Sequence, residues 1–186
     1  MKKSCLIGFL FALLWCAVKF FSFLMDWDSP DSLKYFALLN MFLGTICVVV
    51  AIFSANKVKE ERNLLMDVKS GMASGLIYAI CVSAFIFLYY DKINVDYNKN
   101  QIEKYKLELS KQFDKDPKQL SEFRNNKPEW KSLSKAELVD EVSKDAAVFY
   151  NPKTTMILCL SGMLLWITLN SIIIAIVLRK FIFKSV

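Results

Sequence analysis

The chain contains no histidine. That absence excludes histidine-based catalytic triads, histidine zinc sites and imidazole proton switches within its 186 residues. Only five glycines are present, and neither GxxxxGK[ST] nor GxGxxG occurs, so the usual phosphate-cradling loops are excluded too. The five cysteines, Cys5, Cys16, Cys47, Cys81 and Cys159, all fall in apolar runs, and no CxxC pair occurs. They read as small apolar packers, not as disulfides or metal ligands.

A further lack is charge within four long stretches. Cys5–Met25 holds one charge, Lys19, while Tyr35–Ala55, Ser70–Tyr90 and Thr154–Leu178 hold none. About 20 apolar residues cross a hydrocarbon core of ~30 Å, and each stretch is that long. The composition, 55% hydrophobic yet 23% charged, is thus segregated along the chain and not interspersed. The expected fold class is all-α: an integral membrane four-helix bundle with an extramembrane helical hairpin between the third and fourth spans. A cleaved signal peptide competes for the first stretch, but no small-x-small site follows it and its apolar run is too long. It reads as a retained anchor.

Basic residues set the orientation. Lys2, Lys3, Lys57, Lys59, Arg62, Lys69, Arg179, Lys180 and Lys184 share one side of the four-span layout. The opposite short loop carries Asp26, Asp28, Asp31 and a single lysine, Lys34. Both termini and the 56–69 loop are therefore expected in the cytoplasm of a bacterial inner membrane, and residues 91–153 in the periplasm. Trp27, Tyr35, Tyr89, Tyr90, Phe149 and Tyr150 fall at the outer interface in this arrangement. The net charge of +6 matches an anionic leaflet. It forms no unopposed basic stripe, so no nucleic-acid partner is expected.

The expected organisation is residues 1–90 as spans one to three, 91–153 as the hairpin, and 154–186 as span four with a basic tail. The 91–153 segment carries 13 positive and 12 negative residues. Ile102, Tyr105, Leu109 and Phe113 recur at helical spacing, as do Leu138, Val142, Ala146 and Phe149. Pro117 ends the first helix, Ser134 with Glu137 forms a capping box before the second, and Asn151-Pro152 opens the last span. Nothing before Phe113 is a strong breaker, so the third span is expected to run on as one helix, Ser70–Phe113. Ser29-Pro30-Asp31 is expected to start the second span.

Small residues recur four apart in the third span: Gly71, Gly75, Ala79 and Ser83. The first span repeats the device with Gly8 and Ala12. In lipid such ladders let backbones approach, either within the bundle or toward another chain. Lys19 and Asn40 lie at similar depth near the outer side. They predict either snorkelling and structural pairing or an anionic head-group site. Tyr78 and Asn170 match in depth further in and predict an interhelical hydrogen bond. Phe123 and Trp130, in the hairpin's connecting segment, are candidate partner contacts. The alternative is that Trp130 covers the hairpin's own apolar stripe.

The order of parts resembles a known family. Two spans lead through a basic loop into Met66-Asp67-Val68-Lys69-Ser70-Gly71-Met72-Ala73-Ser74-Gly75-Leu76. The third span exits at Phe87-Leu88-Tyr89-Tyr90-Asp91-Lys92, and a charged helical insert precedes the final span. The whole is similar to domain-of-unknown-function family 4199, four-span bacterial membrane proteins. The resemblance implies no catalytic residues. It does imply a membrane partner, with a glycosyltransferase system acting on lipid-linked sugars as the candidate.

The leading functional expectation is a non-enzymatic accessory or scaffold protein that binds membrane lipids and a membrane-protein partner, or forms a homo-oligomer. A small transporter or lipid-handling subunit using Lys19 and Asn40 is the alternative. An enzyme is disfavoured by the poverty in reactive groups. No cofactor and no metal site is expected.

Overall fold

The four apolar runs become the four longest helices of the computed structural model, which describes residues 2–27, 29, 32–56 and 63–182. In chain order they are α1 (Lys2–Leu24), α2 (Leu33–Asn56), α3 (Leu64–Leu88) and, last, α7 (Pro152–Phe181). Between α3 and α7 lie α4 (Val95–Lys115), α5 (Pro117–Asn126) and α6 (Lys135–Phe149). A π turn covers Tyr89–Ile93 and a 3₁₀ turn covers Pro128–Trp130. No strand occurs among the described residues. The four long helices have the length and hydropathy of membrane spans, and the protein is a multi-pass, all-α membrane protein. Asp28, Pro30 and Asp31, and the basic residues Lys57, Lys59, Arg62 and Lys184, lie outside the described residues.

Two compact units emerge, residues 1–86 with 156–186, and residues 87–155. The first is inverted relative to a soluble bundle. The buried stripe of α1 is Ser4, Gly8, Ala12, Trp15, Lys19 and Ser22. Its leucines and phenylalanines, such as Leu6, Phe9, Leu10 and Leu13, face outward. Lipid is as apolar as leucine, so burial of large side chains gains little here and close packing of small residues holds the helices together. The core gathers Ala12, Trp15, Cys47, Val48, Ile52, Tyr78, Ala79, Val82 and Ile167 from all four spans.

The second unit is a helical hairpin with its own core of Leu109, Phe113, Trp130, Leu138, Val139 and Val142. Lys106 Nζ lies 2.6 Å from Asp140 Oδ1, and Lys135 Nζ lies 2.6 Å from Asp114 Oδ1. The crossed numbering makes α4 and α6 antiparallel. Pro117 and its N-cap Asp116 stop α4 and start α5 as expected, with Asp116 Oδ1 accepting from the Lys118 amide at 3.0 Å. The capping box at Ser134 and Glu137 forms in full. Asn151 caps α7, its Oδ1 accepting from the Lys153 amide at 2.9 Å.

Two boundaries differ from expectation. The third span does not continue to Phe113: α3 gives way to the π turn, and Asn94, at φ −116° and ψ 61°, separates that turn from α4. Tyr89, Tyr90 and Tyr97 account for the local change of winding. Tyr90 stands edge-on to Tyr89 at 5.1 Å and tilts against Tyr97 at 5.2 Å, and an extra residue in the turn lets these rings meet. The second helix begins at Leu33, later than Ser29-Pro30 implied, with the Ser32 hydroxyl donating to the Ser29 carbonyl at 2.7 Å.

Candidate functional site: the polar network of the bundle

The small-residue ladder packs inside the chain. Gly71, Gly75, Ala79 and Ser83 are all buried, as are Gly8 and Ala12. A Cβ built on Gly8 would stand 2.1 Å from the Ser74 carbonyl oxygen, so α1 touches the α3 backbone there. A Cβ on Gly75 would stand 2.2 Å from Ile167 Cγ2 on α7. These two glycines mark where spans come closer than any side chain permits. Gly44 on α2, beneath the Tyr78 ring, joins them and was not anticipated.

The polar side chains are brought together in pairs other than those depth matching suggested. Tyr78 Oη lies 2.6 Å from Asn40 Oδ1 and 3.0 Å from the Asn40 carbonyl, so α3 is tied to α2. Asn40 thus bonds Tyr78 and not Lys19, and Tyr78 does not meet Asn170. Asn170 Nδ2 donates to the Trp166 carbonyl of its own helix at 2.8 Å, with Thr45 Oγ1 of α2 3.5 Å from its Oδ1. The stronger α2 to α7 tie is Trp166, whose Nε1 donates to the Met41 carbonyl and to Thr45 Oγ1, each at 3.1 Å. Depth alone could not choose these partners, because it is silent on which face of each helix a residue occupies.

Lys19 does not snorkel. It is 4% exposed, and its ammonium sits 4.3 Å from the centre of the Phe36 ring. Structural pairing is the role the geometry gives it.

The largest omission in the sequence reading is Asp67. It was placed in the loop before the third span, and the spans were taken to lack any acid. In the structure α3 begins at Leu64, and Asp67 in its first turn is 0% exposed. Arg179 Nε of α7 donates to Asp67 Oδ2 at 2.7 Å, and Asn56 Nδ2 of α2 donates to Oδ1 at 2.8 Å. A carboxylate in the first turn also meets the favourable end of the helix dipole. One acid therefore joins three helices. The signal was present: Asp67 lies four residues before Gly71, so it extends the ladder by one rung once the helix starts a turn earlier.

Trp130 is placed differently from its partner-contact role. It is 7% exposed and belongs to the hairpin core, with Lys127 Nζ 4.3 Å from its ring centre. Phe123 is half-buried and packs on Phe113 with ring centres 5.4 Å apart. Both rings close the hairpin's own apolar stripe. The open feature of this unit is instead a groove of about 580 Å³ between α4 and α6. Leu107, Ser110, Ala136 and Val139 line it, with Lys106 and Asp140 at its rim. Leu107 is 57% exposed there.

Among the described residues no cluster of three or more histidine, cysteine, aspartate or glutamate side chains has metal-binding spacing. The polar groups of the bundle face one another across helix contacts and do not converge on an open cleft. No curated protein and no solved structure matches the chain. The model of a family described as "Protein of unknown function (DUF4199)" matches residues 6–180, nearly the whole chain.

Proposed function

The chain belongs to DUF4199, whose description names no activity, and we propose that it is a non-enzymatic accessory or scaffold protein of the bacterial inner membrane. In this reading both termini are cytoplasmic and residues 87–155 are periplasmic. The hairpin recognises a membrane partner, for which a lipid-linked-sugar glycosyltransferase system is the candidate. The observation that carries the reading is the hairpin groove. The unit completes its own core with Trp130 and Phe113, yet still leaves Leu107 exposed between two salt-bridged helices. A solvated helix surface gains nothing from a large apolar side chain, whereas a partner surface does. The mixed charges at the rim supply discrimination between partners.

The test is purification of the tagged full chain from its native membrane, with identification of any stoichiometric companion. Replacing residues 114–133 by a Gly/Ser linker and, separately, Leu107→Glu should release that companion while the spans stay folded. Full recovery of the companion with both variants would remove the hairpin from the reading. Substrate flux through liposomes holding only this protein would replace it with transport.

A further inference from the structure

Four of the five glycines meet another part of the chain within van der Waals distance, but a Cβ on Gly162 would meet nothing within 4 Å. Gly162 sits on the outward side of α7, at the floor of a groove of about 380 Å³ between α7 and α2. Ala37, Asn40 and Met41 form one wall, and Cys159, Met163 and Trp166 the other. Trp166 closes one end by its bonds to Met41 and Thr45. A glycine in a helix forfeits backbone entropy, and this one returns no contact within its own chain.

A second observation concerns the same groove. Asn40 lines it and is only 6% exposed. Its amide has two polar ends, and Tyr78 Oη engages one of them. Whichever way the amide is turned, the other end makes no hydrogen bond among the described residues. Asn40 lies seven residues into α2, about 10 Å from the helix end, in a helix of about 36 Å. That depth is inside the ~30 Å hydrocarbon core, where lipid tails offer neither donor nor acceptor. A side chain of another membrane helix does.

The chain itself carries the complement. Ser161 is exposed on the same turn of α7, and its hydroxyl also carries no hydrogen bond among the described residues. Around the helix, Cys159, Met163 and Trp166 lie on the α2 side of Gly162, while Ser161 lies about 100° away on the other flank. A two-fold axis parallel to the helices sets one copy's Ser161 flank opposite the other copy's α2 side. We propose that two copies of this chain associate through the α2–α7 face. Their α7 helices cross at Gly162, and the Ser161 hydroxyl of each enters the groove of the other to bond the free end of Asn40. The contact is made twice, by symmetry, and it uses a face that the hairpin reading leaves idle.

Two differently tagged full-length copies, co-expressed and extracted in mild detergent, test this. Wild-type copies should co-purify. Gly162→Leu should abolish co-purification without lowering the melting temperature, because its side chain enters open space in the single chain. Ser161→Ala should weaken association about eightfold, two membrane hydrogen bonds of average strength. Disulfide formation between copies carrying Ser161→Cys and Asn40→Cys, in a background without native cysteines, should occur in intact membranes. Wild-type copies that fail to co-purify and fail to cross-link in the membrane would overturn the proposal. So would Gly162→Leu copies that associate as wild type does, and that result would leave the hairpin reading untouched.

Discussion

Arg179 Nε, near the end of α7, donates to Asp67 Oδ2, in the first turn of α3, across 2.7 Å. The two residues are 112 positions apart in the chain, and only the closing of the bundle makes them neighbours. Asp67 is wholly enclosed, so its charge has no recourse to water if Arg179 is removed. Loss of one member of a buried pair costs about 3 kcal/mol or more, most of it the stranded charge. Arg179→Leu and Asp67→Leu should each lower stability in detergent by about that amount. The Asp67→Leu/Arg179→Leu double variant should recover most of the loss, since no lone charge remains. Additive losses in a thermal or denaturant titration would mean that the pair does not act as a unit.

Gly75→Leu should prise α3 from α7. The added Cβ alone would overlap Ile167 Cγ2, and overpacking of this kind costs about 1–3 kcal/mol. Pairing Gly75→Leu with Ile167→Ala should restore part of the stability, which a melting curve of the detergent-solubilised protein would reveal. Unchanged melting for Gly75→Leu would mean that this face meets lipid.

Tyr78→Phe keeps the ring beside Gly44 and deletes only the hydroxyl that joins α3 to Asn40 of α2. Hydrogen bonds between membrane helices average about 0.6 kcal/mol and reach about 1.7. The loss here should fall toward the upper figure, because the Asn40 amide would then have no partner at either end. Asn40→Leu, which removes the stranded amide as well, should cost less when added to Tyr78→Phe than by itself. A double-mutant cycle on unfolding free energies decides the matter.

The hairpin should loosen in acid. Hydrogen bonds from the Ser134 side chain and backbone hold the Glu137 carboxyl below its ordinary value, and the Lys106 ammonium does the same to Asp140. A carboxyl depressed in the folded state contributes stability that is complete above its unfolded pKa and is lost as pH falls through the folded one. Helix content of residues 135–149 should thus hold at neutral pH and decline only below the ordinary carboxylate range. Glu137→Gln should flatten part of that dependence. Hydrogen exchange of the α6 amides, compared between wild type and variant at matched pH, measures it; identical profiles would exclude the capping box as the source.

Ser121→Cys, in a background without native cysteines, should react with a membrane-impermeant thiol reagent in intact cells, because residues 87–155 are proposed to be periplasmic. Ser54→Cys should stay protected. The reverse pattern would invert the topology.

The residues alone were enough to specify four spans, the capped helices of the insert and the buried ladder Gly71, Gly75, Ala79 and Ser83. Those features are local. Length, hydropathy, capping and four-residue spacing act through the bilayer and through neighbouring turns, so a one-dimensional string records them. The helix start at Leu64 was also written locally, yet hydropathy hid it: a charged residue at the head of a span looks like loop until its partner is known. What the string did not hold was azimuth, the rotation of each helix about its own axis. Azimuth is set by which small residues allow the closest approach, as at Gly8 against Ser74 and Gly75 against Ile167. Those contacts in turn decide that Tyr78 reaches Asn40, that Asn170 stays by Trp166 and Thr45, that Trp130 is used up inside the hairpin, and that Asp67 finds Arg179. Polar pairing in a membrane is a property of facing surfaces, and surfaces come to face one another only when the bundle closes.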